Sequence, residues 1–337
     1  MVPSTPSRIG EAPLDLQTLA RLREDIRAAD ARIRPHVRET PVERSRALEA
    51  DTGGADHTVF LKLENIQHTG SFKLRGAFNK LLCLTPEQRS RGVVAASSGN
   101  HGAAIAWAAD ALGMRAEVFV PEQASQAKVA AIRRMGALVT LFGTDGLDTE
   151  LEAREVARRR GCEYVSPYND LEVIAGQGTL GCELQRQLPA LDAIFIAVGG
   201  GGLIAGVAAD LKTKWPNVSV VGCLPEASPV MARSVAAGAI VEMPSLPTLS
   251  DGTAGGIEAG SVTFPFCASL VDEWVTVTEQ EIADGVRHCL TVEHVLIEGA
   301  AGVAVAGFRR RADRLRGVSA IVLCGANISA ESLHQII

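Results

Sequence analysis

From Val93 onward, short runs of aliphatic and β-branched residues alternate with alanine-rich runs whose apolar positions recur at helical spacing. Residues 93–98 (VVAASS) lead into a helical pattern over 103–112, and 116–121 (AEVFVP) into one over 123–135. Residues 138–143 lead into a third over 148–160. Three consecutive strand-helix units predict a parallel sheet with helices on both faces. A second series of strands is predicted at 193–198, 218–223, 274–277 and 320–323, with helices filling most of the gaps. Between the two series, residues 169–179 read as a motif-bearing loop. Residues 244–262, rich in Gly and Pro and without periodicity, read as an ordered loop. The expected architecture is α/β, as two domains or one large unit. Divided in two, a small domain spans 93–165 and a larger, discontinuous one is built from 1–92 and 166–337.

Composition narrows the class. With 337 residues, 47% hydrophobic and 21% charged, the chain has enough apolar material for a large core and is not a disordered sequence. A net charge of -6 argues against nucleic-acid binding, which needs clustered basic excess. The densest basic run, 309–316, includes Asp313 and is expected to be a solvated helix face. Seven cysteines are scattered singly without C-x-x-C spacing, the pattern of reduced thiols. The N-terminal residues contain no apolar leader and no run approaches a membrane span, so a cytoplasmic protein without membrane contact is expected. The spacing of His288 and His294 does not bring two imidazoles to one helical face, and no metal site is expected.

Four segments carry candidate chemistry. Lys73 lies in TGSFKLRGA among small and hydroxylated residues. A lysine amine with a lowered pKa is a nucleophile suited to Schiff-base formation with an aldehyde cofactor, and Phe72 is placed to lie against a flat ring. The turn SSGNHG (97–102) ends one strand and opens a helix, where α/β proteins bind ligands. Gly99 allows close backbone approach there, and Ser98 and Asn100 would face the crevice. A plain helix cap is the bland alternative. Four glycines, Gly199 to Gly202, follow an apolar strand and precede a helix, an arrangement that wraps backbone amides around an anion. Their spacing is not that of a dinucleotide fold. Cys324, in IVLCGAN, ends the last strand; taken singly it reads as a buried structural thiol.

Together with AGQGT (175–179), these segments resemble the fold-type-II pyridoxal-phosphate enzymes, and within them the threonine/serine dehydratase and serine racemase branch. The resemblance runs from about Pro41 to the end of the chain, with the motifs in order. It implies pyridoxal 5'-phosphate bound covalently to Lys73, with Phe72 on its ring and Asn100 on its ring hydroxyl. Gly199, Gly200, Gly201, Gly202 and Leu203 would hold the phosphate, and Cys324 would meet the pyridine nitrogen. Ser98 matches the second acid/base of racemases. Ser71, Ser97, Gly99 and His101 would line the substrate carboxylate site. The implied reaction is loss of water from a 3-hydroxy amino acid, with Lys73 taking the α-proton as general base and a keto acid and ammonia as products.

Two departures refine the expectation. Where relatives carry an acidic cation ligand after the strand at 218–223, this chain has Leu224, which cannot coordinate a cation; Glu226 lies nearby. Where dehydratases typically carry His-Pro-Phe, it has Ser166, Pro167 and Tyr168, which suggests a more polar substrate than threonine. The segments SPYND and SDGTAGGIE resemble a dehydratase of hydroxyectoine utilisation. The chain stops soon after CGAN, so no regulatory domain and no isoleucine feedback are expected. A small amino-acid substrate and a homodimer or homotetramer follow from the resemblance. Two alternatives remain: an amino-acid racemase using Lys73 and Ser98 on opposite faces, and a non-catalytic sensor of a phosphorylated ligand.

Overall fold

The computed structural model describes residues 14–52 and 56–337. Ten strands are found among them: β1 (Val42–Arg44), β2 (His57–Lys62), β3 (Val93–Ala96), β4 (Ala116–Val120), β5 (Leu138–Leu141), β6 (Glu163–Tyr164), β7 (Ala193–Ala197), β8 (Ser219–Pro225), β9 (Glu273–Val277) and β10 (Gly317–Val322). They form two sheets. One has the order β5-β4-β3-β6 and is wholly parallel. The other has the order β1-β2-β10-β7-β8-β9 and is parallel except at the β1–β2 edge.

The central strands are short and mostly apolar because helices cover both faces; all five residues of β7 are apolar and buried. Strands β3 to β5 and the four of the second series lie within a few residues of the expected positions. The pair β1 and β2 escaped the sequence reading. Its burial alternates only partly, and polar His57, Thr58 and Lys62 dilute the apolar run. Fully buried Lys62 pairs with Glu183 at 2.6 Å, a contact that opposes the lowering of its pKa by burial.

The expected loop at 169–179 is instead mostly helix, Leu171–Gln187. Asp170 caps its start, accepting from the N–H groups of Glu172 and Val173. Its glycines are contact points rather than breakers: a Cβ at Gly176 would lie 2.6 Å from the Arg75 carbonyl oxygen, and one at Gly178 3.0 Å from that of Gly206. Glycine is therefore selected by backbone-to-backbone packing against helices Lys73–Cys83 and Gly202–Lys214. The basic run 309–316 also differs from expectation. The preceding helix, Gly299–Arg309, stops at its first arginine. Arg309, Arg310 and Arg311 pair with Asp51, Glu281 and Glu273 on neighbouring elements, while Arg314 and Arg316 remain exposed to solvent as expected.

The larger apolar cluster fills the six-stranded sheet and its helices. A second cluster joins Leu74, Phe78 and Leu81 to Val93, Ala95 and Ile105, so the helix after Lys73 also packs against the four-stranded sheet. No described helix is long and apolar enough to cross a membrane.

Candidate active site

A cavity of about 730 Å³ opens where β3, β7 and β10 end, and it collects the sequence-predicted residues from both sheets. Phe72, Lys73, Ser97, Ser98, Gly99, Asn100, His101, Tyr168, the four glycines with Leu203, and Cys324 all line it. Ser71 does not. It forms an isolated bridge with Gly325, is fully buried, and its hydroxyl has no protein partner.

Lys73 opens helix Lys73–Cys83 and is fastened from behind by the Phe72 N–H, which donates to the Cys324 carbonyl at 3.1 Å. Its amine donates to the Pro167 carbonyl at 2.8 Å and stands 5.2 Å from the Phe72 ring centroid. Burial brings the ammonium pKa down to about 8, against the opposing pull of Cys324 and Glu298. An amine so placed is half deprotonated at about pH 8 and becomes available as a base at mildly alkaline pH.

Two helix starts face the same cavity. Helix Gly202–Lys214 begins at Gly201, whose φ of 84° is left-handed and whose Cβ would lie 2.7 Å from the Cys267 sulfur. At Gly200 a Cβ would meet the Tyr168 ring at 2.3 Å, while the Gly200 carbonyl accepts from Thr263 Oγ1 at 2.6 Å. Helix Asn100–Ala111 begins without a side-chain cap. A Cβ at Gly102 would lie 2.2 Å from the Ser97 carbonyl oxygen, which fixes the sharp turn out of β3. In both first turns, the N–H groups of 100–102 and 200–203 have no acceptor among the described residues. The amine of Lys73 thus shares a cavity with two open anion receptors.

Three polar side chains depart from their simplest reading. Asn100 donates through Nδ2 to both Glu298 oxygens, at 2.8 and 3.0 Å, and accepts from Asn327 Nδ2. His101 uses Nε2 on the Val165 carbonyl at 2.8 Å, and burial beside Lys73 takes its pKa to about 3, so the ring stays neutral. The Tyr168 hydroxyl accepts from the Glu258 N–H at 3.0 Å, and burial pushes its ionisation well above the ordinary range. Burial likewise holds Cys324 as a neutral thiol.

Glu298 was not foreseen. Its carboxylate accepts from Asn100 and from the Asn327 N–H at 3.0 Å, and burial raises its pKa to about 7. The available signal was a single acid inside the apolar run 295–308. Lys128 and Asp251, paired at 3.0 Å across the cavity mouth, were also missed, because they come from a surface helix and an aperiodic loop. On the face expected to lack a cation site, Leu224 is buried and Glu226 pairs with Arg310 at 3.4 Å. No cluster of side chains suited to a metal is found among the described residues.

A nucleophilic amine, a glycine anion cradle and a neutral thiol on one parallel α/β scaffold define a cofactor-dependent enzyme of the pyridoxal-phosphate class. The family model described as pyridoxal-phosphate dependent enzyme matches residues 33–325, and the chain belongs to that family, in the threonine/serine dehydratase and serine racemase superfamily. It is 40% identical over 314 residues to the L-threonine ammonia-lyase of Thermotoga maritima, covering 93% of this chain and 77% of that protein. It is equally similar to a putative threonine dehydratase of Sinorhizobium fredii, covering 93% of each. Among solved structures, maize serine racemase superposes with a TM-score of 0.87 at 33% identity, covering 93% of this chain and 95% of that one. A pyridoxal 5'-phosphate-dependent aspartate racemase gives 0.86 at 34% identity, covering 92% and 97%.

Pyridoxal phosphate is therefore the cofactor, and the cavity fits it. The open amides of 200–203 suit a phosphate, and the Lys73 amine suits the aldehyde. The non-catalytic sensor reading is set aside, because family and site together define an enzyme.

Proposed function

We propose that this enzyme is an ammonia-lyase that removes water from a small 3-hydroxy amino acid and yields a keto acid and ammonia. The carrying observation is the Lys73 amine, its pKa lowered to about 8, in one cavity with two helix N-termini whose N–H groups have no acceptor among the described residues. When bound, pyridoxal phosphate would supply an aldehyde for the substrate amine and a ring that withdraws charge from the α-carbon. The amides of 200–203 would hold its phosphate, and those of 100–102 would orient the substrate carboxylate. Lys73 Nζ removes the α-proton. Cys324, kept as a thiol by burial, would give a ring nitrogen beside it no charged partner, and the β-hydroxyl would leave as water with a proton taken up in the same cavity.

For the substrate, a hydroxylated diamino acid of the kind released by opening a hydroxyectoine ring is the finer reading. Its support is the charge around the cavity: Asp251, Glu298 and Glu331 stand against Lys128 alone once Lys73 is committed to chemistry. A second ammonium suits that balance better than a second carboxylate. Ammonia release from threonine, serine, hydroxyaspartate and the hydroxy-diamino acid is the test. The last should give the highest kcat/KM; no release from any of the four sinks the lyase reading.

Racemisation is the second reading, favoured by Ser98 in the same cavity as Lys73. It requires α-proton exchange with inversion that Ser98→Ala abolishes. Water elimination surviving that change supports the lyase.

A further inference from the structure

The catalytic cavity occupies the edge where strands β3 and β4 end, but a second cavity of about 530 Å³ lies at the edge where they begin. Arg91 precedes β3, Arg115 precedes β4, and Arg160 closes the helix that feeds β6. Register brings these starts together: Val93 pairs with Ala116 on one side and with Glu163 on the other. The Arg91 side chain lies across the neighbouring connection, with its Nη1 3.2 Å from where a Gly161 Cβ would stand. Three exposed arginines therefore line one depression.

Their charge is only partly matched. Arg160 pairs with Glu117, the one acid in the lining, which also accepts from Thr140 at 2.7 Å. Arg91 reaches Glu87 at the exposed rim at 2.9 Å. Arg115 donates to the Ser90 carbonyl at 3.1 Å and has no carboxylate partner among the described residues. Within the lining, three arginines face one glutamate, an excess of two positive charges. Met114 and Leu138 add apolar wall.

We propose that this depression binds a small organic phosphate monoester. Its dianionic head would lie between Arg91 and Arg115, and its body would rest on Met114 and Leu138. Guanidinium forks match phosphate oxygens in pairs, and a dianion balances the surplus charge. The strands' amino ends contribute no catalytic group, so the site is separate from the cofactor's own phosphate cradle.

Calorimetric titration of the holoenzyme tests this, because bound cofactor already fills the glycine loop. Adenosine 5'-monophosphate, glucose 6-phosphate and inorganic phosphate are the probes. Saturable binding of at least one ester, tighter than inorganic phosphate and weakened about tenfold or more in Arg115→Gln and Arg91→Gln, is expected. Both variants should keep the cofactor's visible absorption, a sign that they fold. Equal ester affinity in the variants, or no ester binding beyond that of inorganic phosphate, overturns the proposal.

Discussion

Lys73 and Glu298 show how differently two site residues are written into a chain. Lys73 stands in a segment whose neighbours advertise it. Glu298 acquires meaning only when three turns converge, since Asn100, Asn327 and Glu298 come from separate elements. Lys73→Ala should lower ammonia release by about 10³-fold or more and remove the visible absorption of the holoenzyme. Activity of the wild type should climb as pH rises toward 8, where the released amine becomes neutral. Glu298 offers a separate test in the cofactor-free protein. Burial raises its pKa from 4.5 to about 7, so the folded state holds the proton more tightly than the unfolded chain. The stability this contributes is full below pH 4.5 and is lost as pH rises through 7. Glu298→Gln removes that slope, so the variant's stability relative to wild type should grow between those limits in urea unfolding.

At the scale of elements, glycine hides a helix behind the composition of a loop. Gly176, Gly178 and Gly181 within ten residues look like a loop when helix propensity is read alone, yet they sit in one helix whose backbone touches its neighbours. The strand-helix alternation is legible because buried parallel strands carry mostly apolar runs. The β1–β2 pair is not, because its charged members are satisfied by distant partners. A Cβ at Gly206 would lie 2.4 Å from the Ile174 carbonyl oxygen. Gly206→Ala should therefore cost about 1–3 kcal/mol in denaturant midpoint experiments, despite alanine's better helix propensity. Arg75 is fully buried between Glu64 and Glu183, each at 2.7 Å. Arg75→Met leaves those carboxylates short of a partner and should cost about 3–5 kcal/mol by the same measurement.

For the whole molecule, the sequence disclosed that two parallel sheets exist but not how they face one another. Beside the apolar cluster around Leu74 and Phe78, long-range polar pairs that no local pattern encodes also link the regions carrying them. Glu258, in the aperiodic loop, meets Arg154 at 2.9 Å and Asn169 at 2.9 Å, while Asp251 meets Lys128. Glu258→Gln removes the charge that draws Arg154 to the loop. It should raise KM several-fold with a smaller effect on kcat, and added salt should raise the wild-type KM in the same direction.

Strand β10 lies between β2 and β7, although more than a hundred residues separate it from either in sequence. On the ribosome, the four strands from β3 to β6 are contiguous and have every partner they need soon after they emerge. The six-stranded sheet keeps a gap at its middle until residues 317–322 arrive, leaving β2 and β7 with exposed ladder edges for most of translation. A nascent chain arrested before residue 317 should thus present one protease-resistant unit and one that is readily cut, and its glycine loop should be unable to retain the vitamin.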